Sequence, residues 1–372
     1  MHATKALTEA DRLMTVCNSC RYCEGLCAVF PAMEMRRAFA DGDLEYLANL
    51  CHNCGACFID CQFSPPHEFN VNVPRTLAQV RANSYAAHAW PFPMHGFFER
   101  NGLAMTLAAI VGVAVFILGF VGAQNPDALF ASGSEAGAFY RLMPHKTMAL
   151  VFSCAFFYGI FALCMSCVGF WRSTRSPDAP AMNVAALWEA MKDAGSLRYL
   201  DGAGAGCYVA DDTQPDRRRL YHHFTFYGFI LCFAATSVAT IYHYMLGREA
   251  PYAWNDLPVI LGVLGGLGLV VGPLGLFFEK NRRDPQTIDE GSTGMDTAFL
   301  ATLFLIGLTG LALLVLRSTP AMGLLLAVHL GVVLAFFLTM PYGKFVHGFY
   351  RYLALVRYAG EKKLIAEGAG SE

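Results

Sequence analysis

The run CNSCRYCEGLC, residues 17–27, returns as CHNCGACFIDC at residues 51–61. Both read C-x2-C-x2-C-x3-C, giving Cys17, Cys20, Cys23 and Cys27, then Cys51, Cys54, Cys57 and Cys61. Three thiolates at that pitch wrap three corners of an iron–sulfur cubane, and the fourth of each run reaches across to the other cubane. The spacing therefore predicts two [4Fe-4S] clusters, one on Cys17, Cys20, Cys23 and Cys61, the other on Cys51, Cys54, Cys57 and Cys27. Zinc is the competing ion, but its sites usually separate two C-x2-4-C knuckles by a longer gap and need no third cysteine so close.

Between the runs, AVFPAMEMRRAFADGDLEYLANL (28–50) offers good helix formers with apolar residues at roughly helical spacing. The residue after each fourth cysteine is Ala28 or Gln62, not the proline of small bacterial ferredoxins; Pro31 and Pro65 come later. That departure suits a helical two-cluster domain better than a small free carrier. The opening MHATKALTEADRLMTV has neither an apolar core nor a small-residue cleavage site, so the head is expected to stay in a reducing compartment. There, thirteen cysteines argue for metal rather than disulfides.

Behind the head the composition changes. The chain of 372 residues is 55% hydrophobic and only 15% charged. Six apolar segments, at about 103–122, 147–170, 223–245, 257–278, 297–316 and 321–341, are each long enough to span a hydrocarbon core. The expected fold is all-α: a ferredoxin-like head at 1–85, an interface elbow at 86–102, and a six-span bundle at 103–345. A loop at 172–221 lies within the bundle, and a tail follows at 346–372. In GVLGGLGLVVGPLG (262–275), glycines three or four apart allow close helix contact, and Pro273 is expected to bend that helix.

Lysine and arginine gather in alternate connections, at Arg172, Arg175, Lys192, Arg198 and Arg217–Arg219, then Lys280, Arg282 and Arg283, then from Lys344 onward. The other connections hold mainly Arg141, Lys146, Arg248 and Arg317. The positive-inside rule then places the head, the loop 172–221 and both termini on the cytoplasmic side of an inner membrane. The net charge of −2 decides nothing here. Within the loop, LDGAGAGCYVADD (200–212) lacks both a preceding strand and the final glycine of a dinucleotide fingerprint, and reads as a flexible loop.

Of eleven histidines, His145, His222, His223, His243, His329 and His347 fall within or at the ends of the spans. Ionisable groups there are costly in lipid and tend to mark a site, and paired histidines from different helices would hold haem b. Depth pairs His222 with His347 near the cytoplasmic face and His243 with His329 nearer the outer face, with His145 and His223 as alternatives. The bland reading is that terminal histidines snorkel to the interface. His329 and His347 would share one stripe about 27 Å apart on an unbroken helix, but Pro341 and Gly343 argue for a break. His52 and His67 flank the clusters; His88 and His95 read as interface anchors beside Trp90, where a quinone head group is the alternative. Cys154, Cys164, Cys167 and Cys232 read as packing residues.

No activated nucleophile, phosphate cradle or acid–base carboxylate pair is evident, so no residue is expected to be catalytic in the sense of transforming an organic substrate. Nothing points to nucleic acid. With these motifs assembled, the chain resembles the tricarballylate- and citrate-utilization B proteins and the C-terminal half of a related cobalamin-biosynthesis flavohaem protein. The resemblance runs full length through CNSCRYCEGLCAVFPAM, CHNCGACFIDCQFSPPHEFNVNVP, GAGAGC and YHHFTFYGFILCFAATSVATIYHY. It implies a membrane subunit that reoxidises the reduced FAD of a companion dehydrogenase and delivers electrons to quinone. In the tricarballylate case that companion oxidises tricarballylate to cis-aconitate. The cobalamin relative carries haem b, which strengthens the expectation for His222, His223, His243, His329 and His347. The alternative is reverse flow, a quinol-driven subunit of the heterodisulfide- or fumarate-reductase kind. A redox sensor or transporter is disfavoured because the spans are nearly free of charge.

Overall fold

No strand occurs among the described residues of the computed structural model, which are 2–123, 129–130, 136–141, 143–175, 182–200 and 217–369. The head opens with α1 (Lys5–Cys20), where the Thr4 hydroxyl accepts from the Leu7 N–H at 3.2 Å and Leu7, Ala10, Leu13 and Met14 form the buried stripe. There follow α2 (Val29–Glu34), α3 (Asp41–Leu50), α4 (Ala56–Ile59) and α5 (Val73–Ala87). Asn72 caps α5 by accepting from the Arg75 N–H at 3.2 Å, and Pro74 sits in its first turn, where a missing N–H costs nothing. Apolar stripes on α1, α3 and α5 close into one core through Leu13, Leu44, Leu47 and Leu77. Burial of such side chains contributes roughly 1.5–3 kcal/mol each.

After the elbow and the short α6 (Gly96–Glu99) come α7 (Asn101–Ala123), α8 (His145–Thr174), α9 (Val184–Gly195), α10 (Arg218–Leu246), α11 (Leu257–Asn281), α12 (Thr293–Leu316), α13 (Met322–Thr339) and α14 (Val346–Ala369). Among them α7, α8, α10, α11, α12 and α13 are the six helices long and apolar enough to cross a membrane, as expected. Glycines set their spacing. A Cβ on Gly268 of α11 would fall 2.7 Å from the Phe224 carbonyl oxygen and 2.9 Å from the Gly228 Cα of α10, and one on Gly112 of α7 would fall 2.7 Å from the Gly331 carbonyl oxygen of α13. Backbones this close are held by dispersion and packing, the forces left to helices in lipid. α11 continues through Pro273.

The segment expected as a tail is part of the head. Ala354, Leu355, Val356, Tyr358 and Ala359 of α14 join the core that contains Leu13, Met14 and Leu47, and α9, from the loop 172–221, lies along its other side. A buried ionic knot fixes it. Arg36 reaches Asp43 at 2.9 Å and Glu361 at 2.6 Å, while Arg357 reaches the same two carboxylates at 2.8 Å each. Both guanidiniums lie over the Tyr46 ring, whose hydroxyl donates to Glu361 at 3.1 Å. Burial alone would raise the Asp43 carboxyl; the two arginines outweigh it and hold it below its ordinary range. The Gly-rich stretch and Cys207 lie outside the described residues.

Candidate functional site

Two cavities sit side by side in the head, each ringed by cysteine. Cys17 and Cys20 come from the last turn of α1, which Arg21 ends in the left-handed region, its N–H donating to the Cys17 carbonyl at 2.8 Å. That reversal brings Cys23 back to the same space, where Cys61, just past α4, completes the ring. The second ring is Cys27, Cys51, Cys54 and Cys57. Its loop turns through Asn53 at φ 53° and Gly55 at φ 91°, the latter a conformation that favours glycine. Cys57 borders both cavities. Each cavity thus gathers thiols from both runs.

Electrostatics divides them the same way. Burial, then Cys23, Cys61 and Cys20, push the Cys17 thiol up to about 12; Cys23 also rises to about 12, through burial and then Cys61. Cys27 is raised by burial and then by Cys54 and Cys51, and Cys57 by burial, Cys54, Cys51 and Cys27. Thiolates gathered this closely call for cationic charge between them, which bound iron would supply. Among the described residues no three His, Cys, Asp or Glu side chains lie close enough to hold a single ion. A tetrahedral zinc would need its sulfurs within about 2.3 Å of one centre.

Four arginines close around the second loop. Arg81 donates to the Ala48 and Cys51 carbonyls at 3.1 and 2.6 Å, and Arg351 to those of Asn49 and Cys51 at 3.3 and 2.7 Å. Arg218 donates to the His52 and Asn53 carbonyls at 2.8 and 3.0 Å, and Arg283 also donates to Asn53. Burial, then Arg351, Arg218 and Arg81, push His52 well down, so it is neutral. Beside this collar Asp296 takes Lys280 at 3.1 Å and Lys344 at 2.8 Å. Sequence reading counted Arg218 and Arg283 only for topology. The overlooked signal was position: Arg218 precedes His222, and Arg351 follows His347, by four residues each.

The His222 and His347 rings lie edge to face with centroids 6.2 Å apart and planes at 74°. The Nδ1 of His347 bonds the Lys344 carbonyl, which fixes the ring, and burial, with Lys344 and Arg351, pushes its pKa well down. A neutral imidazole so oriented is the metal-binding form. A ring nitrogen sits about 2 Å from a bound first-row metal and its centroid roughly 1 Å beyond, so two rings on one iron have centroids roughly 6 Å apart. The pair fits bis-histidine ligation.

His243 and His329 are not brought together. α13 stops at Thr339, a tight turn covers Met340–Tyr342, and α14 leaves separately, so the unbroken stripe does not form. His329 instead bonds the Thr309 hydroxyl of α12 at 2.9 Å. His243 stacks on His145 with centroids 3.6 Å apart and planes at 20°, leaving no room for a metal between them. His223 stacks on Tyr227. His88 ties the elbow to α3 and α8 through Glu45 at 2.9 Å and Ser173 at 3.2 Å, the role of an anchor. The His95 side chain lies outside the described residues. His67 packs edge-on to Phe63 and Phe69.

Known proteins match along most of this length. A family model described as Citrate utilization protein B covers residues 97–368, and another, the Citrate utilization protein B Fer4-like domain, covers residues 10–87. The Citrate utilization protein B of Escherichia coli is 48% identical over 361 residues, 97% of this chain and 94% of that protein. No solved structure matches the chain.

Proposed function

The chain belongs to the citrate utilization protein B family, and from that premise we propose that it carries electrons from the reduced FAD of a partner dehydrogenase of tricarboxylate utilization to the membrane quinone pool. Cys17, Cys20, Cys23 and Cys61 would hold one [4Fe-4S] cluster, Cys27, Cys51, Cys54 and Cys57 the other, and His222 and His347 haem b. Bound, these groups supply the one-electron chemistry that joins a two-electron flavin to a two-electron quinone.

The observation that carries the reading is the connection between the second quartet and the histidine pair. Arg218 and Arg351 grip the Asn49–Asn53 carbonyls, and each stands one turn, about 6 Å along its helix, from His222 or His347. Those two turns fix head and bundle in one register. The stacked contact of His243 with His145 supports one haem site rather than two. Cationic residues crowd the head side of the bundle at Arg217–Arg219, Lys280, Arg282, Arg283 and Lys344, which supports a cytoplasmic head on an inner membrane.

The test is anaerobic purification of the full chain, with iron analysis and stepwise reduction followed by optical and EPR spectra. The reading expects about eight cluster irons per chain and a sharp reduced α-band that is lost in His222→Ala and His347→Ala but kept in His329→Ala. Addition of the partner flavoprotein with its substrate should reduce both clusters. An iron-free chain overturns the proposal, and an α-band that survives both ligand variants overturns the haem assignment.

A further inference from the structure

We infer that the second quartet is the electron sink of the two, with a reduction potential above that of the first, and that the collar of Arg81, Arg218, Arg283 and Arg351 sets this order. The inference rests on the iron–sulfur reading above and adds a direction to it.

Reducing a cubane places one more negative charge at its site, so fixed cations nearby favour the reduced state, and most strongly where burial limits screening. The collar meets that description. Arg81 is buried, its guanidinium and that of Arg351 are directed onto backbone carbonyls of the Ala48–Cys51 segment, and neither pairs with a carboxylate among the described residues. Lys280 and Lys344 share the single Asp296, leaving positive charge in excess there as well. Hydrogen bonding works in the same direction: the Asn53 N–H donates to the Cys51 sulfur at 3.3 Å.

Among the described residues the first quartet lacks such a collar. Apolar residues line both cavities, Phe30 and Val73 among them, but the first takes its fourth thiol from Cys61, whose chain neighbour is the carboxylate-bearing Asp60. An electron added there meets no comparable collar of guanidiniums. One electron moving from the first site to the second breaks no bond and carries no proton; its energetic gain comes from approaching the guanidiniums, and it ends nearer His222 and His347.

The experiment is an EPR-monitored redox titration of the full chain in detergent, with the two signals assigned by Cys20→Ser and Cys54→Ser. The signal abolished by Cys54→Ser should appear first as the potential falls. In Arg218→Gln and Arg351→Gln the ratio of reduced second to reduced first cluster at a fixed potential should drop about tenfold, which for one electron is about 59 mV. Arg218→Lys should keep most of the original ratio. The inference is overturned if the Cys20-dependent cluster is reduced first, or if both glutamine variants leave the ratio unchanged. The wild-type order needs no arginine variant, so it decides the matter even where an arginine substitution prevents assembly. A chain without iron would instead remove the reading on which the inference rests.

Discussion

Cys61→Ser tests the crossed arrangement most directly. Cys61 belongs to the second run by sequence but to the first cavity by position, facing Cys17, Cys20 and Cys23. Its replacement should therefore act on the same cluster as Cys20→Ser, whereas Cys27→Ser should act on the same cluster as Cys54→Ser. Each cubane holds four irons, so losing one takes the chain from about eight irons to about four. EPR of the reduced protein would show a single remaining signal, the same one in Cys20→Ser and Cys61→Ser. Folding is a small term for Cys61, which is partly exposed beside a turn held by the Ser64 hydroxyl bond to its carbonyl at 2.8 Å. Cys27 packs against the head core, so a serine there costs about 1–3 kcal/mol for a poorly satisfied hydroxyl, and a thermal scan separates that loss from the loss of iron. If Cys61→Ser and Cys54→Ser silence the same signal, each run holds its own cluster and the grouping of thiols argued above is wrong.

Other outcomes follow from the packing and the charges. Asp296→Asn strips the counter-charge from the half-buried Lys280 and Lys344 and should destabilise the chain by about 1–3 kcal/mol, less than the cost of breaking a fully buried pair; an unchanged thermal midpoint in detergent would contradict it. Gly268→Val pushes a side chain into the Phe224 and Gly228 backbone of α10 and should cost about 1–3 kcal/mol, while the same change at Gly119, which meets nothing within 4 Å, should cost far less. His2 bonds Asp41 at 2.5 Å, and that contact raises its pKa above the ordinary 6.5. The folded value exceeds the unfolded one, so the contribution is complete below pH 6.5 and fades as pH rises through the folded value. Hydrogen exchange at the start of α1 should quicken over that rise, and His2→Ala should abolish the dependence.

Local spacing points to the cysteine runs as the candidate site, because a cubane fixes how far apart its thiolates stand, and length with hydropathy made the six spans readable. Depth paired His222 with His347, whose rings lie 6.2 Å apart. For His243 it put His329 first and His145 as the alternative, and the structure sets His145 against it, because contacts at that end depend on helix rotation and on where α8 begins: His145 opens that helix and takes the stacking position. The collar and α14 were hidden for a related reason. An arginine beside a span reads equally as a topology signal or as a donor to a loop far away in sequence, and only the fold tells these apart. Likewise, VHGFYRYLALVRYAGEKKL looks like a charged tail until Arg357 and Glu361 are set against Arg36, Asp43 and Tyr46.

The place of α14 has a consequence for how the molecule is made. Its core residues, Ala354 to Ala359, complete a domain begun by Leu7 and Leu13, yet they leave the ribosome only after every span has been synthesised. The head cannot reach its final packing while the bundle is still being threaded into lipid. Arg351 arrives at the same late moment, so the surroundings of the second quartet are finished last. Biogenesis is thereby ordered by covalent connectivity alone: a nascent chain stalled in the translocon presents eight thiols without the helix that shelters them, and only an inserted chain has a finished niche for its metal.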